Sequence, residues 1–212
     1  MKFYESGDSS KPVIFLFPGT CCLYSSFEHV LDGLHSYFYT ITVSYDGFDP
    51  NEKTEFYSME DECEKIEQEI KKKYCGRIKA AYGCSLGGSL VSLLIQRKRI
   101  HIEHGIIGSS DMDEAGKLVA KIQASMVVPF MYKMAHTGAL PKYMQKKLSK
   151  TDGAKRELYN GFLNMFGIGK GGSPWITKQS IYNQFYSDLV TKVQHGIDVP
   201  GTTIHVFYAT KM

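Results

Sequence analysis

Gly83-Cys84-Ser85-Leu86-Gly87 is the segment of this sequence best suited to covalent chemistry. A serine hydroxyl is a weak nucleophile until it is held beside a base, with hydrogen-bond donors facing the oxyanion that its attack creates. Glycines two positions before and after the serine let the chain turn sharply without side chains colliding, and Gly88 extends that freedom. Arg77 to Tyr82 reads as a strand entering the turn, and Leu90, Val91, Leu93, Leu94 and Ile95 as the apolar side of a helix leaving it. Strand, sharp turn and helix make a nucleophile elbow, with Ser85 attacking an acyl carbonyl and the Leu86 amide facing the oxyanion. A phosphate-binding loop is the competing reading of these glycines. It lacks a Gly-Lys-Ser/Thr ending, and serine at position 85 breaks Gly-x-Gly-x-x-Gly.

The elements needed to position Ser85 are legible on both sides. Val13 to Phe17 is a short apolar run closed by Pro18-Gly19, as expected of a buried strand. Phe27, Val30, Leu31 and Leu34 recur at helical spacing, and Tyr37 to Val43 has the aromatic and β-branched content of a strand. From Ser58, a plausible cap, to Tyr74, the residues Met59, Cys63, Ile66, Ile70 and Tyr74 form one helical stripe. Acidic residues crowd the start of this helix and Lys71, Lys72 and Lys73 its end, matching the helix dipole. Ile102 to Gly108 is a further strand, followed by Ser109-Ser110-Asp111. About ninety residues then precede the next strand, Ile204 to Ala209, far more than a crossover needs. Within them Val119 to Met134, Ala154 to Phe162 and Ile181 to Val193 read as helices, with a glycine-rich connection at Gly167 to Pro174. Roughly 113–200 is therefore expected to be a helical cap over the catalytic face, an independent helical domain being the other reading.

Composition excludes several classes. The 212 residues suit one globular domain, and 43% apolar content with 14 Tyr and 12 Phe excludes disorder. A net charge of +3, with basic residues scattered in short runs, does not describe a nucleic-acid surface. Five cysteines without a compact Cys/His pattern point to reduced thiols rather than a metal site. No secretory leader or membrane-length apolar run stands out, so a cytoplasmic location with no membrane partner is expected.

Taken together the chain resembles the α/β-hydrolase superfamily, particularly its capped lipase, esterase and peptidase-like members. The resemblance rests on Pro18-Gly19-Thr20, on Ser44-Tyr45-Asp46-Gly47, on the long helix before the elbow and on Gly83 to Gly88. It continues weakly through the strand ending at Gly108 and resumes in Ile204 to Ala209. It implies an α/β fold with a mostly parallel sheet and a helical cap insertion: core residues 1–112, cap 113–200 and a late core strand 201–212. It also implies a second oxyanion donor, the amide of Thr20 or Cys21, to join that of Leu86. No metal or organic cofactor is called for, and the substrate is expected to be a small-molecule ester or acyl compound. An aminopeptidase or amide hydrolase is the alternative, as is a catalytically incomplete hydrolase-fold binding protein.

The family's triad runs serine, acid, histidine, with the histidine after the final strand. Here Ile204 to Ala209 looks like the strand before the acid, yet the sequence ends at Met212. A C-terminally incomplete fold is therefore expected, with a sheet edge left open to a homodimer. The alternative is an unusual triad. In it Asp111 is the best acid, with Asp113 behind it, and His195 the first candidate base, ahead of His136.

Overall fold

The computed structural model describes residues 1–110, 114–140, 142, 145–146, 150, 153–165 and 171–207. Its centre is a sheet of six strands: β1 (Lys2–Ser6), β2 (Val13–Phe17), β3 (Tyr39–Ser44), β4 (Arg77–Cys84), β5 (His101–Gly108) and β6 (Thr203–Phe207). They lie in the order β1-β3-β2-β4-β5-β6, with β1 antiparallel to β3 and every other pairing parallel. The sheet is thus mixed but mostly parallel, the arrangement in which helical crossovers cover both faces. Strand β1 was not anticipated. Its run Lys2-Phe3-Tyr4-Glu5-Ser6 is short and half polar, as suits an edge, and only the pairing with β3 marks it as a strand.

Alternation along the strands assigns each face its helices. Phe15, Phe17, Ala81 and Ile107 point toward α2 (Met59–Tyr74) and α3 (Leu86–Arg97), in the main core with Met59, Cys63, Ile66, Ile70, Leu90 and Leu94. Ile14, Leu16 and Ala80 point the other way, toward Phe27 and the Leu31 and Leu34 side chains of α1 (Glu28–His35). Helix α2 has the boundaries its charge pattern suggests. The Ser58 hydroxyl accepts the Asp61 amide at 3.2 Å, and Cys75 ends the helix at φ 52°.

Between β5 and β6 lies a helical insertion containing α4 (Lys117–Thr137), α5 (Gly153–Met165) and α6 (Lys178–Val190). Ala120, Ala124, Val128 and Ala135 face inward from α4, and α6 is started by Thr177, whose hydroxyl accepts the Ser180 amide at 3.0 Å. Residues 167–170 of the glycine-rich connection lie outside the described residues. Gly172 packs so closely on Gly138 that a Cβ on either would strike the other's backbone. The observed helices run two or three residues beyond the expected start or end in several places, but α6 stops at Val190 rather than Val193. Strand β6 follows at the sheet edge, and Tyr208 and Ala209 of the expected strand lie outside the described residues. No helix among the described residues is long and apolar enough to cross a membrane.

Candidate active site

Strand β4 runs through the middle of the sheet and ends at Cys84, and α3 starts at Leu86. Ser85 alone makes the turn, at φ 53° and ψ −121°. A positive φ on a residue with a Cβ costs roughly 1–3 kcal/mol unless its surroundings hold it there. Here the Ser85 amide donates to the Gly108 carbonyl at 2.9 Å, and the Ser85 carbonyl accepts the Gly88 and Ser89 amides at 2.8 and 3.1 Å. Ser85 is exposed while Leu86 to Ile95 are all buried, so the turn lifts one hydroxyl out of an otherwise closed core.

The glycines are required by contact as well as by conformation. A Cβ on Gly83 would land on the carbonyl of Gly87, and one on Gly87 would lie 2.8 Å from the Phe17 carbonyl carbon and 2.9 Å from the Pro18 oxygen. The first turn of α3 is therefore pressed against the ends of β2 and β4 with no space for side chains between them. On the β2 side, a Cβ on Gly19 would sit 3.6 Å from that of Ser85. The Tyr45 hydroxyl braces this turn from below, donating to the Pro18 carbonyl at 2.9 Å.

Two amides near Ser85 are left without acceptors among the described residues, those of Thr20 and Leu86. Leu86 opens α3, where the first N–H groups have no partner within the helix and the helix dipole favours negative charge. Cys21 differs from what the sequence suggested. Its amide donates to Oε1 of Gln184 on α6 at 2.9 Å, so this donor is already engaged, and Cys21 takes φ 60°. Burial pushes the thiols of Cys21 and Cys84 up, and that of Cys22 up to about 12, so none of these is a thiolate nucleophile at neutral pH.

Neither expected histidine is hydrogen-bonded to Ser85. His195 follows the insertion beside Gln194, whose amide donates to Oε1 of Gln96 at 2.7 Å. Gln96 lies near the far end of α3, and at 1.5 Å per residue that is about 16 Å from Ser85. His195 is thus at the wrong end of the helix to serve as its base. His136, in the last turn of α4, has a buried Nδ1 with no partner among the described residues and is stacked obliquely on Tyr132 with 5.1 Å between ring centroids. His205 and His104 pair with each other at 3.3 Å between β6 and β5, and His35 bonds Ser6 and Thr40. No histidine makes a hydrogen bond to Ser85. Asp111 and Asp113 lie outside the described residues.

A parallel sheet with an antiparallel edge strand, a serine at positive φ between a central strand and its helix, and a helical insertion before the last strand together define a known architecture. The fold is that of the α/β-hydrolases. Solved structures of this fold superpose on nearly the whole chain. An esterase from Thermogutta terrifontis matches with a TM-score of 0.68 and 13% identity, covering 97% of this chain and 74% of its own. A structure from work on carboxylesterases of Nitrososphaera gargenis matches with 0.67, 13%, 97% and 74%. An enol-lactonase from Burkholderia xenovorans matches with 0.64, 13%, 97% and 75%. The chain spans about three quarters of the length of these α/β-hydrolase structures. No protein-family model matches the sequence, and no curated protein matches it.

Sequence reasoning missed Gln184 and Tyr45 as supports of the β2 turn. Tyr45 directly follows β3 and so had a positional signal. Gln184 had none, being one of several polar residues in a helix 163 residues from its partner.

Proposed function

We propose that this protein is a serine hydrolase that cleaves carboxylic esters through an acyl-enzyme at Ser85. The observation that carries this reading is the backbone of Ser85, held at positive φ between β4 and α3 with its hydroxyl exposed beside two unengaged amides. In this reading the turn is a nucleophile elbow. The Ser85 oxygen attacks the acyl carbonyl carbon, and the oxyanion forms between the Thr20 and Leu86 amides. As the tetrahedral adduct collapses, the serine proton passes to the departing alkoxy oxygen and the alcohol leaves; water then attacks the acyl-enzyme, returning a proton to Ser85 and releasing the acid. Each oxyanion donor is worth about 3 kcal/mol of transition-state stabilisation in such sites. Asp111, next in the chain after the Ser109-Ser110 pair that follows β5, is the proposed acid.

A catalytically silent, ligand-binding hydrolase fold is the second reading, favoured by the lack of any histidine bonded to Ser85. One experiment separates the two. The full chain is incubated with a fluorophosphonate and, separately, with p-nitrophenyl acetate and butyrate, alongside Ser85→Ala. Ester turnover and a phosphonyl adduct mapped to Ser85, both lost in the variant, support hydrolysis. A folded wild-type chain with neither sinks it and leaves the binding reading.

A further inference from the structure

We propose that Gln184 is a positioning residue through which the helical insertion sets the oxyanion site. This inference rests on the hydrolase reading above and adds a residue from outside the sheet to its machinery. Gln184 is completely buried, and its side-chain oxygen accepts the Cys21 amide at 2.9 Å, while its Nε2 has no acceptor among the described residues. A buried amide with one end unpaired is unfavourable, so packing alone would favour leucine or methionine at this position. What the glutamine supplies that they cannot is an acceptor for one particular N–H.

That N–H belongs to a residue at φ 60°, directly after Thr20, in a turn whose other bonds are few. The Cys22 amide reaches back to the Gly19 carbonyl at 3.0 Å and Tyr45 holds the Pro18 carbonyl at 2.9 Å. The Gln184 bond pins the peptide that leaves Thr20, and without it Thr20, together with its unengaged amide, is free to shift relative to Leu86. The helix supplying the acceptor is itself anchored to the core. Ser180 Oγ accepts the Phe56 amide at 3.2 Å and Asn183 Nδ2 donates to the Phe56 carbonyl at 2.7 Å. Ser180, Gln184 and Ser187 form a buried polar stripe on α6, so the insertion clamps the turn from a fixed position.

The test compares the wild type with Gln184→Met, which keeps the volume and removes the acceptor, and Gln184→Glu, whose neutral carboxyl retains a carbonyl oxygen. With p-nitrophenyl butyrate, Gln184→Met is expected to lower kcat by about 10- to 100-fold with KM within twofold, somewhat less than deleting an oxyanion donor. Gln184→Glu is expected to recover most of the loss. Amide hydrogen exchange, which needs no turnover, should show protection of the Cys21 amide lost in Gln184→Met and kept in Gln184→Glu. Unchanged kcat, a loss that tracks Tm and is not rescued, or unchanged Cys21 protection overturns the role of Gln184. A wild type that turns over no ester and forms no Ser85 adduct refutes the hydrolase reading and with it a catalytic role for the clamp.

Discussion

Glu62 sits on the inner side of α2 with no exposed surface, and its carboxylate accepts the Asp46 amide at 3.2 Å beside the Asp46 carboxylate. Burial, reinforced by the Asp46 charge, pushes its pKa from 4.5 up to about 7, against the smaller opposing pull of Lys65. A carboxyl whose pKa is raised on folding stabilises the native state fully below its unfolded value, and that stability is lost as pH rises through the folded value. Over pH 5 to 8 the loss amounts to about 2–3 kcal/mol. Asp46 does not confuse this window. Burial would raise it, but Lys65 and the Met1 ammonium outweigh burial and hold it below 3.8, so its contribution is lost only in stronger acid. Glu62→Gln keeps an acceptor for the Asp46 amide and removes the titration. Urea unfolding at pH 5, 6, 7 and 8 can be followed by the fluorescence of Trp175, the single tryptophan, whose Nε1 donates to the Phe48 carbonyl at 3.3 Å. Relative to Glu62→Gln, the wild type should weaken by about 2–3 kcal/mol across that range, the histidines cancelling in the difference. A difference that stays constant, or grows in the wild type's favour with rising pH, would refute the reasoning.

Three further outcomes follow from the geometry. Gly87→Ala places a methyl against the Phe17 and Pro18 carbonyl groups, which are backbone and cannot step aside; a loss of about 3 kcal/mol is expected, read as a fall in Tm of about 10 °C. Arg97→Met removes the guanidinium bonded to Glu60 and, at 2.5 Å, to the buried Glu67; with Arg99 only a distant second partner, chemical denaturation should register a loss of about 3 kcal/mol. His195→Ala should leave ester turnover within twofold of wild type, because α3 separates that residue from Ser85; a loss of tenfold or more in kcat would show that the two meet.

What could be read from the sequence was local. The sharp turn at Ser85 was legible because strand, glycines, serine and helix follow one another within twenty residues. The stripe and charge gradient of α2 were legible for the same reason, down to the Ser58 cap. The helical character of the insertion also followed from spacing alone. Tertiary structure decided what depends on distant partners. Strand β1 exists because β3 offers it a ladder, and its own half-polar residues do not announce it. Cys21 had the right position to be an oxyanion donor, but α6 carries Gln184 to its amide and engages it. His195 had suitable chemistry at a suitable place in chain order, yet the bonds between Gln96 and the segment after α6 fix it at the far end of α3. The glycines and the serine that permit the turn at position 85 are neighbours in the chain, while the Gly108 carbonyl and the end of β2 hold it in place. The orientation of a donor, and the distance of a base, are set by whichever remote segments the topology packs beside them.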